Sequence, residues 1–273
     1  MRINPAFWMA ATLIALCGFS MAALETPGHE KTGAVTVVYN HEGSSSESEL
    51  VQRGGFAAYV HLEERSVLLD VGGEASLILE NLQRLDTDFS RIEAVVISHN
   101  HWDHVFGLPG VMSGSRTKAP VYVAESAAAG VHQQFPRATV VPVGTTTEVA
   151  PRVWVTKPLE IEFMGAHLSE QALVIERSDG LHVLVGCSHP GIVDIVKLVK
   201  EEFPGKPIAF VGGGFHLRST PEPEIREIAA ELDELGVRKI GPAHCSGDAA
   251  KRIIRELWGD RFVSFDLGDT VRF

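Results

Sequence analysis

Residues 98–104 read Ser98-His99-Asn100-His101-Trp102-Asp103-His104, three imidazoles and a carboxylate in seven positions, directly after the apolar run Ala94, Val95, Val96, Ile97. A short, continuous apolar run of this kind predicts a buried strand. The polar cluster therefore sits at a strand's carboxyl end. In an extended loop His99 and His101, two positions apart, point the same way and can hold one ion. Asp103 and His104 lie one step on and can hold a second. Zinc accepts imidazole nitrogen and carboxylate oxygen, and manganese or iron tolerates the same mixture. The bland alternative is that these side chains cap a helix beginning near His104, but a cap needs one such residue and four are present.

Three later histidines share this placement. His189 follows an apolar run in "VLVGCSHPG", His216 another in "IAFVGGGFHL", and His244 a third in "KIGPAHCSG". Side chains at the carboxyl ends of strands in an α/β protein converge on one edge, where such folds place their sites. His132 and His182, in helix or hairpin contexts, read as surface residues.

Further out, apolar β-rich runs recur: "AVTVVYN", "FAAYVHL", "SVLLDVGG", "PVYVA", "ATVVPV", "RVWVT", "QALVIER", "LHVLVGC", "PIAFVGG" and a closing "RFVSF". Helical periodicity covers 74–85, 191–203, 221–235 and 247–258, the third with Thr220 as N-cap and Pro221 at the first helical position. Hairpin-like strands followed by strand–helix alternation predict a mixed α/β sandwich, sheets inside and helices outside.

The chain has 273 residues, 45% of them apolar, enough for one full-sized domain over 34–273. Residues 23–33, polar with Pro and Gly, read as a linker. Arg2, the apolar stretch 7–20 and the small residues Ser20 and Ala22 have the pattern of a secretory signal over 1–22. An uncleaved anchor is the lesser reading, because a spanning helix needs roughly 20 apolar residues. The expectation is a periplasmic or secreted protein with no stable membrane anchor after cleavage.

Losing residues 1–22 removes Arg2 and no acid, leaving 23 basic and 35 acidic residues and a formal charge of −12. Such a surface repels phosphate backbones and argues against a nucleic-acid partner, leaving a small-molecule substrate. Cys17 leaves with the signal. The remaining Cys187 and Cys245 are too few for a disulfide scaffold. They flank His189 and His244, and if those histidines converge the sulfurs either pair or both stay reduced beside the metal.

The pattern "HNHWDH" fits HxHxDH, and with "LLDVGG" around Asp70 it resembles the metallo-β-lactamase superfamily of metallohydrolases. "SHNHWDHVFGL", "GCSHPGI", "GGFHL" and "PAHCSG" together resemble its dihydropterin ribofuranosylaminobenzene phosphate synthase-like branch, from about Gly54 onward. The resemblance implies a four-layer αββα sandwich holding one or two divalent ions, zinc first, with Mn2+ or Fe2+ as alternatives. It implies His99, His101 and a later histidine on one ion, and Asp103, His104 and His244 on the other. His189 is the choice for the later ligand, and His167 is held in reserve, since other branches keep a ligand in that region.

Cys187 stands where many superfamily members place a bridging aspartate, so it reads either as a bridging thiolate or as a small buried residue beside the site. Asp70 is expected to orient a ligand imidazole from behind. Asp103 is expected to serve the water nucleophile, and His216 to donate a hydrogen bond to substrate and steady developing negative charge.

Neither a glycine-x-serine-x-glycine elbow nor a phosphate-binding glycine loop is present. The glycines of "VGGG" instead read as room for backbone to pass close to the metal site. The function expected is an exported metal-dependent hydrolase of an ester, lactone, phosphoester or amide. A pterin-precursor synthase-like transferase and a metal-binding protein with little turnover are the alternatives.

Overall fold

Period-two alternation in strands buried on both faces builds the layers. In Arg65–Leu69 and Ile92–Val96 the residues Val67, Leu69, Ala94 and Val96 turn into one apolar cluster, while Leu68 and Val95 turn into another. The structure, a computed structural model, describes Met1 and residues 33–41, 50–63, 65–114 and 118–273. The expected signal and linker, 1–22 and 23–33, lie outside the described residues except for Met1 and Gly33. The described residues from Gly33 onward form one compact unit.

The first sheet holds β1 (Gly33–Tyr39), β2 (Ala57–Leu62), β3 (Arg65–Leu69), β4 (Ile92–Val96), β5 (Val121–Ala124) and β6 (Val140–Val143) in that order, with β15 (Thr270–Arg272) outside β1. It is antiparallel from β15 to β3 and parallel from β3 to β6. The second holds β7 (Thr147–Ala150), β8 (Val153–Val155), β11 (Leu173–Arg177), β12 (Gly180–Val185), β13 (Ile208–Gly214) and β14 (Lys239–Ala243). Its strands β12, β13 and β14 run parallel. A separate hairpin pairs β9 (Leu159–Phe163) with β10 (Ala166–Glu170).

Helices α1 (Ala75–Arg84), α3 (Leu108–Gly114) and α4 (Glu125–Gln134) cover the first sheet: Ile78, Leu108 and Val131 share a cluster with Leu68 and Val95. Helices α5 (Ile192–Glu202), α6 (Glu222–Glu234) and α7 (Asp248–Trp258) cover the second, where Val199, Leu232 and Ile254 pack with Val183. Between the sheets Val67, Leu69 and Val96 meet Val155, Leu173, Leu184 and Phe210. The result is the four-layer αββα sandwich.

Several expectations need correction. "RFVSF" is not a strand: it leaves a 3-10 turn, Gly259–Arg261, and makes one bridge from Phe262 to Ile240, while the closing strand is β15. Pro221 is itself the N-cap of α6, which starts one residue later than expected, at Glu222. His182 is buried, not on the surface; β12 is covered on both faces, and its Nε2 lies 2.9 Å from Asp179 Oδ1. His132 is exposed on α4. The β9–β10 hairpin, β7 and helices α3 and α4 were not among the expected elements.

Because β3 and β4 are parallel within one sheet and β12 to β14 within the other, their carboxyl ends leave together. Those ends carry Asp70, His99 to His104, Cys187 to His189, His216 and His244.

Candidate metal centre

Asp70 is fully buried just past β3, where an unpaired carboxylate would be costly. It accepts hydrogen bonds from the Ser98 backbone N–H, the Ser98 hydroxyl and His104 Nδ1, each at 2.7 Å. The Ser98 Oγ lies 2.9 Å from His99 Nδ1. One acid thus orients two imidazoles, one directly and one through serine. His104 Nε2 is left facing Cys187 Sγ at 3.3 Å, and His99 Nε2 faces His101 Nδ1 at 3.1 Å.

The short helix α2 (Trp102–Val105) has His101 as its N-cap residue, whose side chain makes no capping bond, so the capping alternative fails there.

A second buried acid, Glu170 at the end of β10, does the same work from the opposite side. Its Oε1 accepts the N–H groups of Cys187 (2.9 Å) and Ser188 (2.7 Å), and its Oε2 accepts the N–H (2.7 Å) and Nδ1 (2.8 Å) of His189. Ligand imidazoles fixed through Nδ1 by a carboxylate present Nε2 to a metal.

Cys187 lies where the two sides meet. Its sulfur belongs to one group with His99 and His189, to another with His104 and His244, and to a third with His216 and Cys245, the ligand atoms of each lying within 4.8 Å of one another. Asp103 Oδ2 is 3.5 Å from His244 Nε2 and 3.7 Å from His104 Nε2, which puts the acid on the His104 side. His101 stands on the other, its ring 4.8 Å from that of His189. Cys187 and Cys245 are both free thiols.

His167 is elsewhere: its exposed side chain on β10 pairs with Glu160 at 2.7 Å, outside all three groups.

Electrostatics match a cation's place. Burial and the neighbouring imidazoles hold His99 well below the ordinary histidine range, and burial with His189 lowers His101. His104 goes the other way: burial opposes its charge, but the Asp70 carboxylate pushes it up to about 9. Asp103 is held low against its own burial by the His244 hydrogen bond and the His104 charge. Burial raises the Cys187 thiol. The buried Nδ1 of His244 has no hydrogen-bond partner among the described residues. Crowded imidazoles, two carboxylate-anchored rings and thiols among them fit a divalent ion.

The backbone is shaped for this. Asp70, Ser188, His216 and His244 all adopt left-handed φ, between 51° and 62°, at strand ends beside the cluster. Such values are uncommon outside glycine and concentrate at functional sites. Gly213 (φ 127°) runs so close to β12 that a Cβ would come 2.0 Å from Val185 O.

The cluster opens into a cavity of about 450 Å³ walled by Phe163, Arg218, His41 and Gly55. Phe163 packs its ring 4.5 Å from that of His189. His216 is exposed at the mouth, with its ring also 4.5 Å from His189. A cavity of about 720 Å³ near Met112 and Phe135 is larger but holds none of these groups.

Glu170, Phe163, His41 and Arg218 were missed from the sequence. Glu170 and Phe163 lie on the unexpected hairpin, and His41 follows β1 with no neighbouring ligand to mark it. Only the acid in "LSEQALV", directly before an apolar strand, carried a signal.

The architecture and the cluster define a class: an αββα protein with a histidine, carboxylate and thiol centre at the carboxyl edges of its two sheets, suited to divalent metal. The chain belongs to the metallo-beta-lactamase superfamily, whose sequence model matches residues 51–249. It is 26% identical over 251 residues to the 7,8-dihydropterin-6-methyl-4-(beta-D-ribofuranosyl)-aminobenzene-5'-phosphate synthase of Methanocaldococcus jannaschii, covering 77% of this chain and 85% of that one. A solved metal-dependent hydrolase of the beta-lactamase superfamily superposes with a TM-score of 0.71 at 26% identity, covering 88% of this chain and 98% of its own. The metallo-beta-lactamase fold protein YhfI from Bacillus subtilis superposes at 0.64, with 16% identity, covering 89% and 100%.

Proposed function

We propose that the protein is an exported metal-dependent hydrolase of a small ester, lactone, phosphoester or amide, with zinc as the first choice of ion and Mn2+ or Fe2+ as alternatives. The observation that carries this reading is the pair of buried carboxylates, Asp70 and Glu170, that fix His104 and His189 through Nδ1 and aim them at Cys187. His99, His101 and His189 would hold one ion, Asp103, His104 and His244 the other, with Cys187 between. When bound, such ions lower the pKa of water and polarise a carbonyl or phosphoryl oxygen.

The chain's own residues do the rest. Asp70 and Glu170 keep the Nδ1 protons in place and fix the rings. Asp103 lies at the cavity, positioned to accept a proton from attacking water. Phe163 walls the site and restricts water on one side. The cavity suits a small molecule, and the acidic surface disfavours nucleic acid.

Purified protein loaded with zinc or manganese and offered lactone, phosphodiester, aryl ester and β-lactam substrates tests this. Turnover abolished by chelation and restored by metal is expected. Metal binding with no turnover of any substrate would instead support a storage or delivery role. A synthase-like transferase is the second reading, favoured by the 26% identity to the archaeal enzyme. Export separates it: mass spectrometry of the mature protein is expected to find Ala23 as the first residue, whereas an intact start at Met1 would favour the transferase.

A further inference from the structure

Cys245 follows His244 in the turn after β14, and its sulfur lies within 4.8 Å of both Cys187 Sγ and a ring nitrogen of His216. The chain makes room for this. A Cβ on Gly214 would come 2.7 Å from Cys245 Sγ and 2.3 Å from Gly186 O, so only glycine lets β13 pass here. His216 and His244 both hold left-handed backbone, at φ 53° and 51°, at the turns that present the imidazole and the thiol. His216 is exposed on the cavity, so an ion can reach the group from solvent. Two thiols and an imidazole form a softer donor set than the neighbouring histidines and carboxylates, and thiolate donors select zinc-like ions over magnesium or calcium.

We propose that Cys187, Cys245 and His216 hold a thiophilic divalent cation at the mouth of the cavity, beside the histidine and carboxylate positions. Each thiol releases its proton to solvent as its sulfur bonds the ion, and the remaining coordination position is left to water or a substrate atom. His216 then acts as a ligand rather than as the substrate-facing donor expected from the sequence. The proposal depends on the main metal centre only in sharing Cys187 with it.

The test uses the full chain, stripped of metal with its thiols reduced, then titrated with Cd2+ alone. The thiolate-to-cadmium charge-transfer band and the bound metal are both measured. A band of two-thiolate intensity is expected. Cys245→Ser should lower it by about half and remove one bound equivalent. His216→Ala, which removes an exposed side chain, should weaken cadmium at this position at least about tenfold, with circular dichroism checking that the variant is folded. An undiminished band in Cys245→Ser, or unchanged affinity in His216→Ala, overturns the proposal. Wild-type protein that binds cadmium with only a one-thiolate band also overturns it, while leaving the histidine centre standing. No cadmium binding at all defeats both.

Discussion

The Asp70 carboxylate lies 2.7 Å from His104 Nδ1, and through Ser98 the same acid also holds His99. A single buried group therefore positions one proposed ligand of each ion. Asp70→Asn keeps the shape but weakens the hold on both rings, and metal affinity should fall 10- to 100-fold, roughly the range for lost outer partners. Competition with a chromophoric chelator measures it; affinity within twofold of wild type would contradict the role.

The same pair sets a pH dependence in metal-free protein. His104 is pushed up to about 9, above the ordinary value near 6.5. Its folded pKa exceeds its unfolded one, so the stability it adds is complete below about pH 6.5 and is lost as pH rises through 9. Thermal melts of chelated protein should show Tm falling across that window, and Asp70→Asn should flatten the slope. A wild-type Tm that rises from pH 6.5 to 9 would contradict it.

Glu170 is satisfied by three backbone N–H groups and by His189 Nδ1. Glu170→Ala strands all four donors in a buried place and should destabilise the protein by roughly 3–5 kcal/mol. Chemical denaturation checks the size, and a loss under about 1 kcal/mol would mean that water replaces the carboxylate.

Two glycines separate site from scaffold. A Cβ on Gly186 would come 2.0 Å from Ser98 Oγ and 3.0 Å from Asp70 Oδ2, so Gly186→Ala should lose metal affinity along with roughly 1–3 kcal/mol of stability. At Gly130, inside α4, a Cβ meets nothing within 4 Å, and alanine should add up to about 1 kcal/mol with metal binding unchanged. Equal metal affinity in the two variants would count against the Asp70–Ser98 support.

The legible parts of this chain are those with a local signature. The helices α1, α5, α6 and α7 each carry an apolar stripe, and His99, His104, Cys187, His189 and His244 each follow an apolar strand in the parallel part of its mixed sheet. Glu170 was legible only as an acid directly before an apolar strand; its function arises when an antiparallel hairpin folds over the β12 end, a contact with no sequence spacing to mark it. His182 misled for a related reason: a polar residue in "LHVLV" gives no sign that its strand is central and buried on both faces. Cys187 lay between, since its position in sequence was clear but its place between the two histidine groups needed both sheets.

The most direct measurement is the metal content of wild-type, His101→Ala and His244→Ala proteins, purified alike and counted by mass spectrometry. Each variant should fold and bind fewer ions than wild type, His101→Ala losing the ion shared with His99 and His189, and His244→Ala the one shared with His104 and Asp103. Full metal content in both variants would contradict the assignment of this cluster as the metal centre.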